Sequence, residues 1–379
     1  MLSGPRRLRY DTAGATLSAL SDARFGELVE ASALLADGIG GRSSRLDIGG
    51  VPVFVKRVPL TDLERSSAHY RSTANVFDLP MGCHYGVGSP SFGAWREVAA
   101  NEVATALVLA GCGAGHPLLY HWRVLDGAAA DPALAEEFAE AEEVVEYWHG
   151  SDAVRRRIEA LAEASAVVAM CFEFVPSSMP QWLDERVDAG GATADAAVEF
   201  VHRSLLADIA VMNAAGLFHF DAHLDNFLTD GSQLLLADFG LALSSTFDLS
   251  AEERAFLVAN VSHDACHTMA KFVDWLVTKL SAPTDWRDRD RMVSDIAQGS
   301  PVTVPVHAAA AVIERFAPMA TILNDFYRTL HLDDRTAVYP AAQLEAACAA
   351  IGFDVLAGLG QLSIPSPGGL SASTTRFPT

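Results

Sequence analysis

Alternation of apolar and polar positions marks several strands in the first half of the chain. Val51–Val58 (VPVFVKRV) alternates and is rich in β-branched residues, which predicts a strand. Gly49-Gly50 predicts a tight turn that joins it to a preceding strand at Arg45–Ile48. His116–Leu125 and Ala166–Val175 predict two further strands, the second of them buried.

Helical patterns dominate elsewhere, and the boundary lies near Pro176. Ala94–Ala110 predicts an apolar helix, and the chain beyond Pro176 is helical apart from one hairpin near residues 217–238. Residues 60–93 are loop-like, residues 131–164 predict a charged helical insert with a solvated face, and residues 363–379 have the composition of a loose tail. The expected fold class is therefore α+β, with a strand-rich first part and a mainly helical second part.

Composition and charge exclude some functions. Half of the 379 residues are hydrophobic, so a large core can be buried, and a net charge of −21 argues against tracking a nucleic-acid backbone. No apolar stretch approaches the roughly 18 residues of a membrane span, and no signal peptide follows the basic start. The five scattered cysteines form no CxxC pair, which makes a reducing cytoplasm the expected location. No pattern indicates an oligomeric state.

The hairpin near residues 217–238 concentrates candidate chemistry. Asp230-Gly231 predicts a two-residue turn, and that register would place residue 238 opposite residue 223. Asp221, Asn226 and Asp238 would then meet at one end of the hairpin. Carboxylate and amide oxygens suit a hard cation, so Asn226 and Asp238 are candidate Mg²⁺ ligands.

These residues resemble a known family. The segment His219-Phe220-Asp221, with Asn226 five residues after the aspartate and Asp238-Phe239-Gly240 further on, resembles the catalytic loop and metal motif of protein-kinase-like phosphotransferases. His223 is closer to the aminoglycoside and choline kinase branch. Phe220 departs from the pattern, where glycine or arginine is usual. The resemblance implies a bilobal fold, ATP and Mg²⁺ as cofactors, and Asp221 as the catalytic residue that orients the acceptor hydroxyl.

The resemblance also implies a lysine on a strand and a glutamate on a helix. Lys56 shares a strand face with Phe54 and Val58, where a buried ammonium needs an anionic partner. Glu102 lies on the apolar stripe of the helix at residues 94–110, whereas Glu97 shares its face with Asn101 and looks solvated. We therefore expect Glu102 to hold Lys56, with Glu97 as the alternative.

The remaining nucleotide contacts follow from the same resemblance. A glycine-rich turn would cover the phosphates, and a strand end would form the hinge that meets adenine. The residues expected to bind the cofactor are Gly40, Gly41, Ser43, Ser44, Lys56, Phe172, Glu173 and Val175. Two histidines spaced as in a zinc helix, His263 and His267, offer a competing metal site, although the glutamate of that motif is missing.

The expected organisation is an N-lobe at residues 1–175 with inserts at 60–93 and 131–164, a helical C-lobe at 176–362 and a tail at 363–379, the kinase-like part starting near residue 24. The expected activity is phosphoryl transfer from ATP to a hydroxyl of a neutral or cationic small molecule. The alternatives are a Ser/Thr kinase acting on a protein or precursor peptide and a pseudokinase scaffold. Asp225, Asp264 and residues 246–260 are the candidates to line the acceptor site.

Overall fold

The computed structural model describes residues 4–36, 42–86, 88–113, 115–126 and 141–355. The strands are β1 (Ala33–Ala36), β2 (Arg42–Ile48), β3 (Val51–Leu60), β4 (Leu119–Asp126), β5 (Ala166–Glu173), β6 (Ser177–Ser178), β7 (Leu217–Phe218), β8 (Phe227–Thr229), β9 (Leu234–Leu236) and β10 (Leu243–Ser244). The helices are α1 (Gly4–Ser18), α2 (Asp22–Glu30), α3 (Asp62–Arg65), α4 (Ala94–Leu109), α5 (Ala141–Tyr147), α6 (Asp152–Ala162), α7 (Met179–Asp188), α8 (Gly191–Ala214), α9 (Ala251–Ala259), α10 (His263–Ser281), α11 (Trp286–Ala297), α12 (His307–Leu332) and α13 (Ala341–Ala350). The mixed α+β class is confirmed.

An antiparallel sheet of order β1-β2-β3-β5-β4 organises the first half. The predicted turn between β2 and β3 is confirmed, because Ile48 pairs with Val51 and both Gly49 and Gly50 have positive φ angles. In this register Lys56 pairs with Ser43 on one side. β4 starts at Leu119, three residues later than expected, since Pro117 has no N–H to donate to the sheet.

The two faces of the sheet are covered differently. Val53 and Val55 pack with α1 and α2, whereas Phe54 and Val58 belong to the core beneath α4. The face expected for Lys56 is therefore confirmed. The sequence analysis assigned no element before residue 24, but α1 buries Ala13 and Leu17 against the sheet.

The two inserts pack against each other. Phe77, Leu79 and Cys83 from the first share a hydrophobic cluster with Trp148 and Ile158 from the second. We name residues 62–93 together with residues 141–164 the accessory layer. The expected helices of the second insert are present in its described part, but α6 is more than a solvated face.

A buried ion pair joins the two parts of the accessory layer. Arg157 donates to Glu64 at 2.8 Å, and both side chains are nearly inaccessible. Glu64 in turn accepts from the backbone N of Ala94, the first residue of α4. The layer is therefore tied to the sheet-covering helix.

The helical half has its own large core, built mainly from α8, α10 and α12. No helix among the described residues is both long enough and apolar enough to span a bilayer. The short hairpin β8–β9 lies between this core and the sheet, and it presents the loops that form the site.

Arg157→Met should destabilise the protein by about 3–5 kcal/mol, because it leaves the Glu64 carboxylate buried without its cation. Urea unfolding measures the change. Arg155→Met is the matched control on the same helix, since Arg155 pairs with Glu142 at the surface, and it should be nearly silent. Equal effects of the two changes would contradict a structural role for the buried pair.

Candidate active site

A cavity of about 430 Å³ lies between the sheet and the β8–β9 hairpin. It collects residues from both halves of the chain, including most of those expected from the sequence. The expected residues that line it are Ser43, Lys56, Phe172, Glu173, Val175, Asn226 and Asp238. Residues from segments up to 195 positions apart in the sequence therefore line one cavity.

Lys56 is the best-defined charged group in this cavity. Its Nζ lies 2.8 Å from Glu97 Oε1 and 2.8 Å from Asp238 Oδ1. Burial alone would lower the pKa of Lys56, but attraction to Asp238 and Glu97 outweighs burial and raises that pKa above its ordinary value. The lysine is therefore a fixed cation.

The expected partner Glu102 is wrong, and the alternative Glu97 is right. Glu102 instead pairs with Arg71 at 2.7 Å and accepts from the indole N–H of Trp122. Glu97 is buried and faces the cavity with Asn101. The polar stripe of α4 that contains Glu97 and Asn101 therefore faces the cavity. It looked solvated in the sequence, but both sides of α4 are covered by other parts of the protein.

The hairpin register also differs from the prediction. Phe227 pairs with Leu236 and Thr229 with Leu234, so four residues form the turn instead of two. The side chain of Asp230 accepts hydrogen bonds from the backbone N of Ser232 and of Gln233 and replaces the tighter turn. The register therefore differs by two positions from the predicted one. Asn226 and Asp238 still lie close together, because both line the cavity.

The loop before β8 is held in an unusual backbone conformation. Phe220 has a φ angle of 63°, which side-chain-bearing residues adopt at a cost of about 1–2 kcal/mol. The buried carboxylate of Asp264 accepts from the backbone N of His219 at 2.7 Å and of Phe220 at 2.8 Å. Asp264, a candidate from the sequence to line an acceptor site, is instead fully buried behind this loop.

His219 fixes the same loop from within. Its Nδ1 accepts from the backbone N of Asp221 at 3.3 Å, so its Nε2 carries the proton that is donated to the carbonyl of Ala237 at 2.9 Å. Both ring nitrogens of His219 are therefore occupied by backbone groups of this region. Through it, the loop that contains Asp221 is bonded to the residue before Asp238.

Asp221, Asn226 and Asp238 form a compact oxygen-rich group. Asn226 donates to the backbone carbonyl of Asp221 at 2.8 Å. Among the described residues, no hydrogen bond engages Asn226 Oδ1 or Asp238 Oδ2. Burial raises the pKa of Asp221, whereas Lys56 overcomes the effect of burial and lowers the pKa of Asp238.

Only part of the glycine-rich turn lies among the described residues. Gly40 and Gly41 lie outside the described residues. Ser43 lines the cavity, but Ser44 is buried on the other face of β2, where its hydroxyl accepts from Ser32 at 2.5 Å. Ser44 was therefore wrongly expected to contact a ligand here, because adjacent strand residues point to opposite faces.

The end of β5 carries a feature that sequence reasoning missed. The Glu173 carboxylate pairs with Arg6 of α1 at 2.7 Å, and Arg6 also donates to the carbonyl of His116. The backbone N of Glu173 is bonded to Leu118. The backbone N of Val175 has no hydrogen-bond partner among the described residues. Arg6 is 167 positions from Glu173, so no local pattern could reveal the pair.

The competing zinc site is not supported in the described part of the chain. His263 and His267 are buried, and His263 Nε2 bonds the hydroxyl of Tyr327 at 2.9 Å. No group of three or more His, Cys, Asp or Glu side chains among the described residues is arranged to hold a metal ion.

Comparison with known proteins gives no family. No protein-family model matches the chain, and no curated protein matches its sequence.

Asp264→Asn should destabilise the protein by about 2–3 kcal/mol, because an amide cannot accept from both backbone N–H groups that the buried carboxylate satisfies. Urea unfolding gives the free energy. Asp225→Asn, one loop residue away from Asn226 and largely exposed, serves as the control and should change stability little. A silent Asp264→Asn would show that the loop holds its conformation by other contacts.

Proposed function

We propose that the protein is an ATP- and Mg²⁺-dependent phosphotransferase of bilobal, kinase-like architecture, with residues 1–175 and 176–362 as its two lobes. The acceptor is a hydroxyl of a small molecule. One observation supports this most strongly: Lys56 is held by Glu97 and by Asp238 at the wall of a cavity that also contains Asn226. A buried cation beside open oxygen ligands suits a bound polyphosphate.

The cavity is suited to a nucleotide at both ends. Phe54 and Phe172 offer apolar surface for a base, and the open N–H of Val175 is placed to donate to a base edge. Lys56 follows Phe54 by two residues on β3 and would hold phosphate oxygens. Ser43, its neighbour across the sheet, lines the same region.

The residues fit a hard cation. Asn226 Oδ1 and Asp238 Oδ2 both lack hydrogen bonds within the described chain, although both residues line the cavity. Mg²⁺ usually takes one or two protein carboxylates and completes its shell with phosphates and water, so a cluster of three protein ligands is not required. When bound, the ion would neutralise phosphate charge.

The chemistry assigned to the chain is positioning and proton transfer. The acceptor oxygen forms a bond to the γ-phosphorus, the bond from that phosphorus to the β-phosphate oxygen breaks, and ADP leaves. Asp221 orients the hydroxyl and accepts its proton, which suits a carboxylate whose pKa is raised by burial. Asn226 restrains Asp221 through its backbone carbonyl.

The surroundings of Asp221 favour a small acceptor over a peptide. Gly86, from the accessory layer, approaches so closely that an added Cβ would lie 3.0 Å from Asp221 Oδ1. The adjacent Tyr85 is fixed by a 2.7 Å hydrogen bond to the buried Asn260. This anchored wall closes one side of the space beside Asp221. A scaffold without catalysis is disfavoured because Asp221 and its supporting contacts are intact.

Calorimetry with a non-hydrolysable ATP analogue and Mg²⁺ tests the proposal. Binding is expected in the wild type, and Asp221→Asn should retain it, because Asp221 contacts the acceptor and not the nucleotide. The same change should lower transfer by about 10²- to 10⁴-fold. No heat and no thermal shift at millimolar nucleotide would contradict the proposal.

Glu97→Gln should weaken binding of the same analogue by about 10-fold, because Lys56 loses one of two charged partners that position it. Glu102→Gln is the matched control on α4 and should leave the dissociation constant unchanged. If Glu102→Gln weakened binding more than Glu97→Gln, the lysine would not have the role assigned to it.

A further inference from the structure

A second cavity, of about 610 Å³, lies against Asp221 and shares Asp225 with the first. Its wall contains three aromatic side chains, Tyr85, Trp275 and Tyr327. Of the residues that the sequence offered as candidates for an acceptor site, Asp225 lines this cavity, whereas Asp264 and residues 246–260 do not. The wall comes instead from α10, α12 and the accessory layer.

Two buried polar groups in this wall are incompletely bonded. Asp274 Oδ1 accepts from Asn324 at 2.8 Å, but Asp274 Oδ2 has no hydrogen-bond partner. His267 Nδ1 also has none, and burial keeps the pKa of His267 well below its ordinary value, so the ring is neutral. A buried polar group without a hydrogen bond destabilises the protein, and a polar ligand or water can supply the missing bond.

Charged groups of both signs surround Asp274 in this wall. Lys271 Nζ lies 4.0 Å from Asp274 Oδ2, too far for a hydrogen bond, and Arg289 Nε lies 3.6 Å from Oδ1. Arg289 also pairs with Asp290 at 2.7 Å. The other ionisable groups that face the cavity are Asp221, Asp225, His223 and His331. A cationic ligand would meet Lys271 and Arg289, and an anionic ligand would meet the carboxylates.

We propose that this cavity binds the acceptor and that the acceptor is an uncharged polyhydroxy compound, an inference that rests on the proposed function. A hydroxyl both donates and accepts, so one hydroxyl between Asp274 Oδ2 and Lys271 Nζ satisfies both. A second hydroxyl satisfies His267 Nδ1. The aromatic rings contact the carbon skeleton, and the reacting hydroxyl reaches Asp221. This replaces the expectation of a neutral or cationic acceptor with the neutral class alone.

Three sugars of the same ring size test the charge rule on the wild-type protein: glucose, glucosamine and glucuronate. Saturation-transfer NMR without nucleotide measures binding, and ADP formation with Mg²⁺-ATP measures transfer. Glucose is expected to bind at millimolar concentration and more tightly than either charged sugar. Tighter binding of glucosamine or glucuronate, or no binding of glucose, would overturn the inference.

A pair of variants on α10 tests the pocket itself. Lys271→Met should weaken glucose binding about 10-fold, the value of one hydrogen bond to a charged group, and should leave binding of the ATP analogue unchanged. Lys279→Met is the matched control, because Lys279 pairs with Asp184 and Asp188 outside the cavity. Equal glucose affinities for both variants would place the sugar elsewhere and overturn the inference.

The two proposals fail in different experiments. If the ATP analogue does not bind but glucose binds in a Lys271-dependent way, the phosphotransferase proposal fails and the polyol site stands. If the analogue binds and only a charged sugar increases ADP formation, the phosphotransferase proposal stands and the polyol inference fails.

Discussion

The buried ammonium of Lys56, shared by Glu97 and Asp238, is the interaction on which the site depends. Lys56, Glu97 and Asp238 come from β3, from α4 and from the segment after β9. The contact therefore fixes the position of the sheet relative to the helical half. Lys56 and Glu97 are both buried, so removing their charges from water is costly, and the half-exposed Asp238 carboxylate helps to offset that cost. Within the described residues, Asp238 Oδ2 and Asn226 Oδ1 take part in no hydrogen bond, and both residues line the cavity.

Backbone strain is a second cost at the same place. Phe220 and Asp238 both have positive φ angles, at 63° and 65°, without being glycine. Two buried groups offset this strain: Asp264 accepts two backbone hydrogen bonds, and His219 links the loop to Ala237. Stable proteins retain such conformations where the surroundings over-determine them, and those places are commonly functional.

Local signals were readable in the sequence, and distant ones were not. The spacing of Asp221, Asn226 and Asp238 predicted their convergence because one short hairpin connects them, even though its turn has two more residues than expected. The choice between Glu97 and Glu102 failed because α4 is covered on both sides, so apolar neighbours did not mark the face toward the cavity. The signal that could have identified Glu97 was the pair of polar residues, Glu97 and Asn101, on an otherwise buried helix.

The accessory layer also supports the lysine, although none of its described residues lines the cavity that contains Lys56. Arg157 holds Glu64, and Glu64 accepts from the backbone N of Ala94, so the first turn of α4 is fixed by a buried carboxylate. Glu97 lies one turn further along α4, where it reaches Lys56. The accessory layer, which contributes Tyr85 and Gly86 to the wall of the second cavity, thus also orients the helix that positions the lysine. Because these contacts are buried, residues of the chain itself hold the start of α4 in place.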